Sequence, residues 1–112
     1  MIQGIKKVEK PWGYELIFAD TTWYVGKILV IKKGEELSLQ YHLQKQETIY
    51  VYKGKLRFIL GDHEQILTAG DSVHIPAKMV HRMKALEESE IFEVSTPHLT
   101  DVIRLKDHYG RA

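Results

Sequence analysis

The chain has 112 residues, 44% hydrophobic and 28% charged, enough for one hydrophobic core but not two, in a balance at which disorder is not expected. A formal net charge of +1, with no basic stripe interleaved with aromatics, excludes nucleic acid as a partner, and the absence of cysteine excludes disulfides, thiolate catalysis and Cys-type zinc sites. No stretch reaches the roughly 18 to 20 apolar residues of a bilayer span, and the start MIQGIKKVEKPWG has no apolar signal core, so the expectation is a cytoplasmic protein with no membrane partner.

Taken in order, residues 1–13 read as an N-terminal lead-in, with Pro11 and Gly13 as breakers around Trp12. Runs rich in β-branched and aromatic residues at 14–18 and 23–31 predict two strands. Lys33-Gly34 turns the chain into a strand bearing Gln40 and His42, and 48–52 follows as another. Lys53-Gly54 predicts a tight hairpin into 56–60, Gly61-Asp62 a second into 65–67, and Ala69-Gly70-Asp71 a third turn. Further short strands are expected at 72–75, 80–86 and 91–95, separated by Pro76 and by Glu87-Glu88; residues 98–112 are a C-terminal tail. Turn signals recur about every 8 to 12 residues and no amphipathic helix is visible, which predicts a single all-β domain over 1–112, an antiparallel sandwich or barrel.

Within that pattern the stretch 34–54, GEELSLQYHLQKQETIYVYKG, concentrates the chemistry. Residues two apart on a strand share a face, so Gln40 and His42 point together while Leu39 and Tyr41 point the other way. Glu47 follows His42 at an odd offset and needs a turn or bulge around residues 43–46 to reach the same ion. His81 arrives from a neighbouring strand. An unpaired amide or imidazole on the inner face of a barrel costs about 1–3 kcal/mol, which a shared ion would offset. An amide oxygen, two imidazoles and a carboxylate suit zinc, iron, manganese or nickel, with one or two positions left for water or substrate. His63, His74, His98 and His108 lie in turns or outside this pattern and are given no role, and Tyr41, Tyr50 and Tyr52 read as packing residues.

As spacings, the two segments are G-x5-Q-x-H-x4-E-x6-G from Gly34 to Gly54 and G-x5-P-x-K-x2-H from Gly70 to His81. They resemble the two cupin motifs, with Gln40 where the first has His, and Lys78 and Ala85 where the second has Gly and often Asn. With the run SLQ-x-H at 38–42, KPWGYE at 10–15, IPAKMVHR at 75–82, FEVSTP at 92–97 and DVIRLKDHYGR at 101–111, the chain is similar over nearly its whole length to the small phosphomannose-isomerase branch of that superfamily, the type II mannose-6-phosphate isomerase cupins.

The resemblance implies a cupin jelly-roll β-barrel, the double-stranded β-helix. It implies one divalent metal on Gln40, His42, Glu47 and His81, zinc first, with iron, manganese and nickel as alternatives. It also implies interconversion of mannose 6-phosphate and fructose 6-phosphate, with a small-molecule sugar or sugar phosphate as partner. Glu47 and Glu93 are then the catalytic candidates, and either a hydroxide on the ion or Glu93 serves as base. Ser38, Lys45, Lys78 and Arg82 are the substrate-binding candidates. Arg82 is the first choice for the phosphate because of its bidentate fork, although strict alternation points it away from the ion. A cupin that binds a sugar or sugar nucleotide without efficient turnover stays open, as does a metal-dependent dioxygenase, which the glutamine ligand disfavours. Edge strands able to pair predict a homodimer, with residues 10–14 as the crossing segment.

Overall fold

The structure, a computed structural model, describes residues 2 and 4–111; Met1 and Gln3 of the expected lead-in and Ala112 of the tail lie outside the described residues. Alternating apolar and polar side chains give strands throughout: β1 (Lys6–Lys10), β2 (Gly13–Asp20), β3 (Val25–Ile31), β4 (Leu39–Tyr41), β5 (Glu47–Lys53), β6 (Lys55–Leu60), β7 (His63–Thr68), β8 (Ser72–Ile75), β9 (His81–Ala85), β10 (Ser89–Ser95) and β11 (Ile103–Lys106). They pair into two antiparallel sheets, ordered β1-β2-β3-β10-β5-β8 and β11-β4-β9-β6-β7. This is the all-β jelly roll that the sequence predicts. Among the described residues no helix is long and apolar enough to cross a membrane.

The two faces of each strand have separate uses. On β5, Glu47, Ile49 and Val51 are buried while Tyr50 and Tyr52 are exposed, and Tyr52 stacks outward on Phe92 of β10 at 5.1 Å between ring centroids. The tyrosines at 50 and 52 therefore pack on the outer face, as expected. Ile31, Ile49, Val51, Leu56, Phe58, Ile75 and Ile91 are inaccessible to solvent, and Trp12, Leu29, Leu67, Met83 and Ala85 complete the core. Burying each large side chain of this kind contributes about 1.5–3 kcal/mol. Trp12, Leu29 and Met83 also floor a cavity whose other lining is largely polar.

Five local expectations change. The turn at Lys53-Gly54 is not a hairpin, because β5 and β6 lie in different sheets and the chain crosses between them there. The lead-in contains a strand, β1, paired in full register with β2 from Lys6 opposite Ile17 to Lys10 opposite Gly13. Residues 10–14, expected to cross to a partner, are instead the tip of this hairpin, with Trp12 buried in its own chain's core. The strand expected from Trp23 starts at Val25, because Thr21 Oγ1 accepts hydrogen bonds from Trp23 N at 3.1 Å and Tyr24 N at 3.0 Å, and that side-chain turn competes with the ladder. The tail, too, is partly ordered into a ladder: β11 pairs with β4.

The β1–β2 hairpin depends on Gly13. Its φ is +151°, and an added Cβ would sit 1.9 Å from the carbonyl oxygen of Val30, a backbone atom that cannot swing aside. Gly13→Ala should destabilise the fold by about 2 kcal/mol or more, whereas Gly4→Ala, whose new Cβ meets no atom within 4 Å among the described residues beyond its chain neighbours, should change it by less than about 0.5 kcal/mol. Urea denaturation of both variants checks this; equal midpoints would contradict the packing described.

Candidate metal centre

The inner face carries a run of polar groups among its apolar neighbours. On the six-stranded sheet, Lys27 of β3 stands opposite Glu93 of β10, and Glu47 of β5 stands opposite Ser95, one inward position further along β10. On the facing sheet, Gln40 of β4 pairs with His81 of β9. His42 follows directly after β4, and the loop 43–46 brings the chain back so that Glu47 joins the same point, as the odd offset requires. Ligand atoms of His42, Glu47 and His81 all lie within 4.8 Å of one another, and all three residues are buried. His42 Nε2 is 3.9 Å from Glu47 Oε2, and His81 Nε2 is 3.5 Å from Glu47 Oε1.

Both imidazoles are oriented by their outer nitrogens. His42 Nδ1–H donates to the carbonyl oxygen of Asp101 at 2.5 Å, and His81 Nδ1–H donates to that of Met79 at 2.9 Å. A carbonyl only accepts, so each Nδ1 carries the proton and each Nε2 keeps its lone pair. Burial lowers the pKa of both rings, outweighing the backbone hydrogen bonds that act in the opposite direction, and so favours their neutral forms. His42 Nε2, His81 Nε2 and Glu47 Oε2 are buried and make no hydrogen bond. Lone pairs orphaned in this way are costly, and a cation at the point they share would satisfy them all.

Asp101 holds the supporting loop. Its carboxylate accepts backbone hydrogen bonds from Leu43 at 3.0 Å, Gln44 at 2.7 Å and Lys45 at 2.9 Å, which together take its pKa down to about 2. The same residue supplies the carbonyl for His42. Ser38 Oγ donates to Gln40 Oε1 at 2.5 Å; being itself buried, Ser38 orients the Gln40 amide.

Next to this centre lies a buried series of charges. Lys45 Nζ is 3.1 Å from Glu93 Oε2 and 2.9 Å from Glu47 Oε2, the latter an ion pair whose direction leaves that oxygen without a hydrogen bond. Lys27 Nζ lies 3.4 Å from both carboxylate oxygens of Glu15. Burial works against the charged form of Lys45, but Glu93 and Glu47 outweigh it and hold its pKa above the usual lysine range. Burial would likewise raise Glu93, but Lys45 and then Lys27 outweigh it and hold its carboxyl below the usual range. Burial and the neighbouring charge of Glu93 raise Glu47. One cavity of about 110 Å³ is lined by Ser38, Gln40, His42, Lys45, Glu47 and Glu93. That volume is room for a few water-sized groups.

Two of the expected residues stay outside. Arg82 follows the strand alternation: its Nε donates to Leu37 O at 2.9 Å and its Nη1 lies 3.6 Å from Glu36, on the far side of β9 from His81. Lys78 is exposed in the turn before β9, with φ at +69°. Glu15, Lys27 and Asp101, which the sequence reading gave no role, belong to the site. For the first two a signal was available: Glu15 shares a strand face with Ile17, and Lys27 shares one with Leu29 and Ile31.

Residues 27–96 match the family described as Cupin domain. Among known proteins, the chain is 36% identical over 112 residues to the xanthan biosynthesis protein XanB of Xanthomonas campestris, a match covering 95% of this chain and 24% of that protein. It is 32% identical to the mannose-1-phosphate guanylyltransferase ManC of Salmonella typhimurium, covering 95% of this chain and 23% of that protein. The chain thus spans about a quarter of the length of the curated relatives it matches. An RmlC-like cupin from Shewanella frigidimarina superposes with a TM-score of 0.79 at 18% identity, over 86% of each chain, a likeness of fold.

The Asp101 contacts generate a pH dependence. Its folded pKa of about 2 lies below the ordinary value of 3.8, so the stability it contributes is fully present above pH 3.8 and is lost as pH falls through about 2. Asp101→Asn keeps the carbonyl that orients His42 and removes the charge. The variant should melt below the parent at pH 7, by a margin that is constant down to about pH 4 and closes towards pH 2. A margin that persists unchanged at pH 2 would show that the carboxylate does not carry it.

Proposed function

The chain belongs to the cupin family, and from that premise we propose that it is a metal-dependent sugar-phosphate isomerase acting between mannose 6-phosphate and fructose 6-phosphate. The observation that carries the reading is the convergence of three buried ligand atoms that make no hydrogen bond, on His42, His81 and Glu47, at the cavity that His42, Glu47 and Glu93 line. Gln40, oriented by Ser38, is the fourth ligand, and zinc is the ion that this donor set suits first. Once bound, a divalent ion supplies Lewis acidity to a carbonyl and its neighbouring hydroxyl.

The chain's own groups do the rest. Glu93, ionised because Lys45 and Lys27 stand beside it, takes the proton from C2 of the aldose and returns it to C1. The electron pair of the broken C2–H bond forms the C1–C2 double bond, negative charge develops on O1, and the O2 proton passes to O1 so that C2 becomes the carbonyl carbon as C1 is protonated. Lys45, a buried cation between Glu47 and Glu93, faces the region where that charge appears. Trp12, Leu29 and Leu37 give the cavity an apolar wall that limits water at the reacting carbons. The relatives' names speak of xanthan biosynthesis and of guanylyl transfer to mannose 1-phosphate, which supports a mannose phosphate as substrate.

Two carboxylates with separate duties should respond differently to the same change. Glu47→Gln should lower metal affinity by tenfold or more. Glu93→Gln should retain the metal and lose about 10²- to 10⁴-fold in turnover. Metal analysis, thermal melting and a coupled assay for fructose 6-phosphate check both. If the folded, metal-loaded parent does not isomerise mannose 6-phosphate, the enzyme reading is lost, and a cupin that binds a sugar without turnover takes its place.

A further inference from the structure

Lys78 and Arg82 do not reach the cavity, which leaves open what would meet the charged end of a ligand. The lining supplies another set. Lys10 comes from the end of β1, Arg104 from β11, and Arg111 from beyond it, and all three line the same cavity as His42 and Glu47. We infer that Lys10, Arg104 and Arg111 form an anion subsite at the mouth of the cavity, which takes the phosphoryl group of a phosphorylated small molecule whose other end lies against His42, Glu47 and His81. This rests on the reading of the substrate as a sugar phosphate, and it names residues for the half of that substrate which the metal centre does not touch.

The sheet register sets the spacing. Arg104 stands opposite Gln40, and Gln40 stands opposite His81, so the three lie in one row across β11, β4 and β9 on the same face. Two strand spacings of about 4.8 Å place the backbone of Arg104 about 10 Å from that of His81, a length comparable to an open six-carbon chain with a carbonyl at one end and a phosphate at the other. The register shift between Arg104 and Lys106 marks an irregularity in β11 at this point, of the kind that re-aims a side chain.

The cavity lining carries five cations, Lys10, Lys27, Lys45, Arg104 and Arg111, and four carboxylates, Glu15, Glu47, Glu93 and Asp101. Of the carboxylates lining the cavity, Glu47 and Glu93 are taken by Lys45, and Asp101 by three backbone N–H groups. Glu15 is shared between Lys27 at 3.4 Å and Lys10 at 3.9 Å. Outside the lining, Asp107 accepts from Arg111 Nε at 2.9 Å and Nη2 at 3.0 Å, which fixes the guanidinium and leaves its Nη1 for another acceptor. Burial lowers the pKa of Lys10 against the pull of Glu15, and the charges of Lys27, Arg111 and Arg104 push it the same way, so these cations are close enough to repel one another. An arriving phosphoryl group relieves that repulsion, and the Nη1 of Arg111, on a guanidinium already held by Asp107, meets it with little further ordering cost.

Titration calorimetry of the metal-loaded full chain with mannose 6-phosphate, with mannose and with inorganic phosphate tests the subsite without relying on turnover. The parent should bind mannose 6-phosphate at least tenfold more tightly than mannose, with inorganic phosphate competing and with affinity falling as salt rises. Arg104→Gln and Lys10→Met should each remove most of that preference and leave mannose binding in place. Lys10→Met leaves the backbone ladder intact and gives up only the 3.9 Å approach to Glu15, so it keeps the test valid if an arginine variant misfolds. Equal affinity for the two sugars, no binding of mannose 6-phosphate, or variants that weaken both sugars alike would each overturn the subsite. Phosphate-dependent binding without any isomerisation would leave the subsite standing and remove only the enzyme reading.

Discussion

Two hydrogen bonds from imidazole to backbone, His42 Nδ1–H to Asp101 O and His81 Nδ1–H to Met79 O, are the constraint on which the cavity depends. Each spends the ring's one proton on a carbonyl at the outer edge and so sends a lone pair inward. Without them either ring could turn or adopt the other tautomer, and the buried Nε2 atoms would cease to converge. The carbonyls come from outside the strands: Met79 from the turn before β9, and Asp101 from the segment before β11. The barrel sets the distance between the rings, and the two loops set their chemistry.

A second constraint follows from placing charge inside a small barrel. Glu15, Lys27, Glu93, Lys45 and Glu47 occupy inward or cavity positions that an apolar side chain would fill at less cost, since desolvating an ion pair consumes most or all of what its attraction returns. The order is alternately acidic and basic, so no carboxylate lacks a cation nearby. Truncating one member would leave its neighbour buried and uncompensated. A fold that keeps such a series gives up stability for a fixed electrostatic field, and here that field keeps Glu93 ionised beside a cavity floored by Trp12 and Leu29.

Much of this was legible in the sequence because period-two alternation is a strong signal where one face is buried. The strands, the β6–β7 hairpin at Gly61-Asp62 and the need for a turn between His42 and Glu47 all follow from it, whereas Lys53-Gly54 reads as a hairpin and instead carries the chain from one sheet to the other. Arg82 shows the same rule overriding a chemical preference: its fork suited a phosphate, but alternation from His81 put it on the outer face. What stayed hidden required three dimensions. A lysine amid VGKILVI reads as an interruption until Glu93 is seen opposite it on a strand 66 positions away. The carboxylate of Asp101 closes hydrogen bonds across more than 55 residues, and no local pattern announces a partner at that separation. β1 was missed because its residues, KKVEK, lie at a sheet edge with little burial and so show no apolar alternation.

Lys78 links these levels. Its φ of +69° is a conformation that costs a side chain about 1 kcal/mol or more, and glycine would adopt it freely. The strain persists because the turn is gripped from both sides: Lys78 N–H donates to His42 O at 2.6 Å, and Met79, the next residue, supplies the carbonyl for His81. A turn of four residues from Pro76 thus ties together the segments that carry both imidazoles, and its backbone does so whichever side chain stands at 78. The lysine itself projects to solvent, so its charge is free to differ from the residue common at that position in the cupin motif while the geometry beneath it stays fixed. Backbone contacts hold the end of the cavity near the two imidazoles, and side chains from distant segments line the rest. One barrel can therefore keep the first while sequence change alters the second.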